Sequence, residues 1–136
     1  MIRKAREQRH SQEPELKGGR DTTRLIHFLE EEESYGAGRL FGISIIPPGG
    51  SIGYHTHTGD FEIYYILSGT ATVNDNGKWD VLRAGDSMTC REGDSHSIEN
   101  NGDCDLEYVA IILYTEQKRK ESSCGQTLQK MVMFRS

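Results

Sequence analysis

Cysteine and proline are scarce in this chain, with three of each in 136 residues. Cys90, Cys104 and Cys124 are odd in number, irregularly spaced and without a CxxC pair. That excludes a disulfide framework and a thiolate zinc site of the finger type, so the three are read as reduced thiols. Cys90 is expected to serve as a small core residue. Long apolar runs are missing too: none approaches the ~20 residues that span a membrane. The first residues, MIRKAREQRHSQEPELK, show no apolar stretch of signal-peptide type, so a cytoplasmic location is expected. An excess of positive charge is also lacking. The formal net charge is −5, which argues against nucleic acid as a partner of the whole chain. Arg3, Lys4, Arg6 and Arg9 form a short basic stretch that reads as a solvated end. There is no internal repeat and no low-complexity segment.

Glycine, by contrast, is abundant at 15 residues. It punctuates short apolar and β-branched segments. TTRLIHF suggests a first strand, and residues 39–46 (RLFGISII) a second, stopped by PPGG. Residues 54–57 and 61–67 read as a strand pair. Residues 71–73 and 78–82 flank NDNG, where Asn76-Gly77 is a two-residue hairpin signal because both tolerate positive φ. Residues 86–90, 96–99 and 106–113 complete the series. Short strands at such spacing predict an all-β sandwich or barrel in one domain. The expected organisation is an N-terminal arm over residues 1–20, a barrel over 21–116 and a C-terminal tail over 117–136. The acidic run at 30–33 reads as a solvated loop.

His55 and His57 are two positions apart, which on a strand puts both imidazoles on one face. Glu62 is an odd number of positions beyond His57, so a straight strand would turn it away. A turn at Thr58-Gly59-Asp60 resets that parity and assigns Glu62 to the next, antiparallel strand. An inward Glu62 carries Tyr64 and Ile66 with it, and an inward His96 carries Ile98 and Asn100. Three imidazoles and one carboxylate suit a single borderline divalent ion, with Mn²⁺, Fe²⁺, Ni²⁺, Zn²⁺ and Cu²⁺ all compatible.

The pattern Gly49-x5-His55-x-His57-x4-Glu62-x6-Gly69 resembles the first conserved motif of the cupin superfamily. Gly85-x5-Arg91-x-Gly93-x2-His96-x3-Asn100 resembles the second, departing from it only at Arg91, where the family usually has proline. Fifteen residues separate the two motifs, a stretch typical of small single-domain microbial cupins. The resemblance implies a double-stranded β-helix, the jelly-roll barrel. It makes His55, His57, Glu62 and His96 the metal ligands, with positions left open on the ion for water, substrate or O₂.

The wording of both motifs looks most like cupins labelled oxalate-decarboxylase-like. That implies a metalloenzyme acting on a small carboxylate or carbonyl metabolite, with a non-catalytic metabolite binder or sensor and a dioxygenase as alternatives. Oxalate decarboxylases carry a lid glutamate, for which the 30–33 run is a candidate against its reading as a solvated loop. Arg39 is a candidate for pairing a carboxylate, against a surface arginine at a strand start. Tyr64 is a candidate hydrogen-bond donor, against a place in the barrel wall; Ile66 and Ile98 complete the expected pocket. Barrels of this family commonly dimerise, so a homodimer is expected, with residues 1–20 and 126–134 as arms that cover a partner and protect sheet edges.

Overall fold

A computed structural model of the protein describes residues 1–115. The tail expected over 117–136 lies outside the described residues. Within them, ten strands run β1 (Arg9–Pro14), β2 (Thr22–His27), β3 (Gly38–Ile46), β4 (Ser51–Thr56), β5 (Asp60–Ser68), β6 (Thr70–Asp75), β7 (Lys78–Arg83), β8 (Ser87–Cys90), β9 (Ser95–Glu99) and β10 (Leu106–Tyr114). They form two antiparallel sheets, β1-β2-β3-β10-β5-β8 and β4-β9-β6-β7. This is the expected jelly roll.

Period-two burial builds the core. On β5, Asp60, Glu62, Tyr64 and Ile66 are buried while Tyr65 and Leu67 are exposed; on β10, Leu106, Tyr108, Ala110 and Ile112 face inward. Ile46, Ile66, Ile98 and Leu106 are fully buried at the centre of the cluster between the sheets. Each such aliphatic side chain contributes roughly 1.5–3 kcal/mol on leaving water. Asn76 and Gly77 have φ of 54° and 95°, so the NDNG segment makes the β6–β7 turn with the expected backbone.

One strand pairing differs from expectation. β4 and β5 are not partners: β4 pairs with β9, and β5 lies between β10 and β8. The chain changes sheets at the turn between them, where Gly59 takes φ +80°. The parity reset is therefore a crossing from one layer to the other, and it still turns Glu62 inward.

The N-terminal stretch differs as well. Instead of a free arm it supplies β1, the edge strand antiparallel to β2, and a turn at Leu16–Gly18. No residue of β1 is buried, so hydrophobic periodicity had nothing to register there. The acidic run is what holds this segment. Arg3 donates to both carboxylate oxygens of Glu33 at 3.0 and 2.7 Å, and Arg9 to both of Glu30 at 3.0 and 2.8 Å. Glu31 accepts from the Tyr114 hydroxyl. Residues 30–33 are thus a clasp for the start of the chain, and none of them lines the cavity described below.

A pH dependence follows from this clasp. Hydrogen bonds from the Arg3 side chain and the Glu30 backbone hold the Glu33 carboxyl at about 2, below its ordinary 4.5. A depressed carboxyl stabilises the folded form above its ordinary value and loses that contribution as pH falls toward the lowered one. Hydrogen exchange over residues 1–8 is expected to speed up between about pH 4.5 and 2 beyond the intrinsic pH effect, while β10 amides stay protected. Equal protection of both segments across that window would contradict the clasp.

Candidate metal centre

Three strands and one turn bring the donors together. His55 on β4 is directly opposite His96 on β9, and the hydroxyls of Thr56 and Ser95 bond beside them at 2.6 Å. His57 follows the end of β4, its N–H donating to Asp94 O at 3.0 Å and its carbonyl accepting from Gly93 N–H at 2.7 Å. Arg91, at the departure from the second motif, donates from its backbone and its side chain to Asp94 at 3.1 and 3.2 Å. The turn is therefore closed without proline. Glu62 projects inward from β5.

One ligand atom from each of His55, His57, Glu62 and His96 lies within 4.8 Å of all the others. Glu62 Oε1 is 3.1 Å from both His57 Nε2 and His96 Nε2, and those two nitrogens are 3.2 Å apart. His57, Glu62 and His96 are buried and His55 is half-buried. On the far side of the rings, His55 Nδ1 is 2.7 Å from the Gly53 carbonyl and His57 Nδ1 is 2.7 Å from Asp60 Oδ1. Both partners can only accept, so each Nδ1 carries a proton, and in the neutral ring each Nε2 offers a lone pair. Lone pairs from two imidazoles then converge with a carboxylate on one buried point. A divalent ion matches that donor set, because it can take imidazole lone pairs and a carboxylate oxygen at one point. The His96 ring stacks on Tyr64 with centroids 5.0 Å apart, and its Nδ1 is buried without a partner.

The electrostatics keep Glu62 ionised. Burial pushes its carboxyl up, but with no ion bound, hydrogen bonds donated by Nε2–H of His57 and His96 in their protonated forms outweigh that and hold it at about 2. Glu62 in turn raises His57, against the effect of burial. Burial lowers His55, partly offset by its bond to Gly53.

Asp60 belongs to this centre although it had been read only as a turn residue. It is buried, accepts from His57 and also accepts from Arg39 Nε at 2.9 Å. Its signal in the sequence was a carboxylate three positions after a candidate ligand. A carboxylate behind a metal-binding imidazole fixes the ring and raises its basicity. Asp60→Asn is expected to weaken divalent-metal binding about 10–100-fold in a chelator competition, with the fold intact by circular dichroism.

Three of the donors, His55, His57 and Glu62, line a cavity of about 260 Å³. Tyr64 and Arg39 line it, the latter already paired with Asp60. Ile66 and Ile98 are not in its wall; they are fully buried in the core cluster. Glu13, Leu16 and Lys17 also line it, and sequence reasoning missed all three inside a polar stretch. Close backbone packing holds this segment, which acts as a strap over the cavity. A Cβ on Gly19 would fall 2.1 Å from Ser51 O, and one on Gly53 2.0 Å from Lys17 O. Ser51 N–H donates to Arg20 O, and Arg20 N–H to Ser51 Oγ, both at 2.9 Å.

Comparison with known proteins agrees with this geometry. The cupin domain model matches residues 42–112, which contain all four donors. The chain belongs to the cupin family. An oxalate-binding protein from Thermotoga maritima is 45% identical over 98 residues, covering 72% of this chain and 81% of that protein. A crystal structure described as a predicted oxalate decarboxylase from the same organism superposes with a TM-score of 0.80 at 40% identity, covering 85% of this chain and all of that one. The cupin domain of an XRE-family transcriptional regulator from Enterobacter cloacae gives a TM-score of 0.60 at 17% identity, covering 69% of this chain and 98% of that one. At that identity the likeness to this cupin concerns the fold alone.

Proposed function

We propose that this cupin holds one divalent transition-metal ion on His55, His57, Glu62 and His96 and uses it to take up a small carboxylate or carbonyl metabolite. The convergence of four donors beside a cavity carries the reading. The bound ion would supply a Lewis acid able to polarise a ligand oxygen. The chain's own residues do the rest. Gly53 and Asp60 orient two of the imidazoles, Glu62 would offset part of the ion's charge, and His57, Glu62 and His96 are buried from solvent. A carboxylate ligand is supported by the 45% identical relative named for oxalate binding.

Two versions follow, a metalloenzyme and a binder. One observation favours the binder. In the acidic run that could have supplied a lid acid, Glu30, Glu31 and Glu33 are committed to Arg9, Tyr114 and Arg3, and no residue of the run lines the cavity. Elemental analysis of protein purified without added metal is expected to find about one divalent ion per chain, as one site of this donor set implies. Calorimetry is expected to show oxalate binding that disappears on stripping with a chelator. Unchanged oxalate binding by the stripped protein would overturn the metal-dependent reading, and measurable turnover would favour the enzyme over the binder.

A further inference from the structure

The cavity is larger and more apolar than oxalate needs. A water takes about 30 Å³, so 260 Å³ has room for roughly eight or nine. A six-atom dianion such as oxalate would fill less than about half of that. Most of the remaining wall is aliphatic: Leu16 from the strap, Leu25 from β2, Leu40 from β3, Ile52 from β4, and Ala110 and Ile112 from β10, with the hydroxyls of Ser44 and Tyr108 as its polar points. Its six aliphatic side chains favour apolar surface removed from water over a second carboxylate.

The charges point the same way. Arg39 is matched by Asp60 at 2.9 Å. Lys17 and Glu13 bring one charge of each sign to the lining. With a divalent ion on Glu62, one positive charge is left over. A single carboxylate neutralises it, whereas a dianion reverses it and leaves an uncompensated charge against aliphatic walls.

The geometry points to a monoanionic oxygen chelate with a short aliphatic body, such as a branched 2-oxo or 2-hydroxy acid, as the ligand of this site. The inference rests on the metal-dependent reading for its head group and on the cavity wall for its body. The head binds at the four donors, and the body fills the space between β3, β10 and the strap.

The test is a chain-length series measured by calorimetry on manganese-loaded protein: oxalate, pyruvate, 2-oxobutanoate, 2-oxopentanoate and 4-methyl-2-oxopentanoate. Each added carbon is expected to tighten binding about two- to fourfold, given ~0.8 kcal/mol per buried methylene. The branched acid is expected to bind more tightly than oxalate. Affinity that stays flat or falls with length, or oxalate as the tightest ligand, would overturn the proposal. Running the same series on metal-free protein separates the two readings. A rise with length there supports the cavity argument even if manganese is not retained and the metal reading fails. A flat series in both forms overturns the cavity argument alone if manganese is retained. Leu16→Asn, which introduces an amide into the wall, is expected to flatten the slope; an unchanged slope would count against the assigned wall.

Discussion

Glu62→Gln lowers divalent-metal affinity by more than about 100-fold, beyond the 10–100-fold that outer partners of metal ligands carry. The substitution keeps the size of the side chain and removes its charge. Glu62 Oε1 is the point that both His57 Nε2 and His96 Nε2 approach at 3.1 Å. An amide there turns one oxygen into an NH₂ group and leaves the ion without its one anionic donor. The metal-free protein should stay folded, because an amide of the same size can donate to one imidazole nitrogen and accept from the other. Competition against a chelator with Mn²⁺ and Zn²⁺ reads the effect, and circular dichroism of the stripped protein controls for folding. Affinity within tenfold of the parent would mean that the ion, if bound, is held elsewhere.

Gly53→Ala destabilises the protein by about 1–3 kcal/mol, the usual cost of forcing an extra carbon into a filled space. The added Cβ would stand 2.0 Å from the Lys17 carbonyl oxygen. Backbone on both sides must move, since no flexible side chain can yield. Two effects should accompany the loss of stability. The strap should lift, which faster proteolysis between residues 14 and 20 would report. Metal binding should also weaken, because the Gly53 carbonyl orients His55 through its Nδ1 at 2.7 Å. A denaturation midpoint equal to the parent's would show that the strap is not pressed against β4 in solution.

The sequence made the donors legible because a metal site is a chemical pattern. Imidazoles and carboxylates at strand spacing have few other uses, and the turn glycines fixed where each strand ends. The inward set from Glu62 to Ile66 followed from period-two alternation alone. The pairing of β4 was not legible in that way. Residues 54–57 and 61–67 are adjacent in the chain, and local reasoning joins neighbours, whereas a jelly roll sends them to opposite sheets. Asp60 escaped notice because a carboxylate in a turn ordinarily serves the turn. β1 was missed for a different reason. Its register against β2 comes from backbone hydrogen bonds and its anchorage from two arginine–glutamate pairs, and neither leaves a hydrophobic period.

The strap has a consequence for how such a protein can change. The metal donors all come from residues 55–96, while Glu13, Leu16 and Lys17 face them from the start of the chain. The candidate donors therefore come from one stretch of the chain, while part of the cavity wall beside them comes from another. The side chains of Glu13, Leu16 and Lys17 can change and reshape the cavity while the backbone of Lys17 keeps its place against Gly53, behind His55.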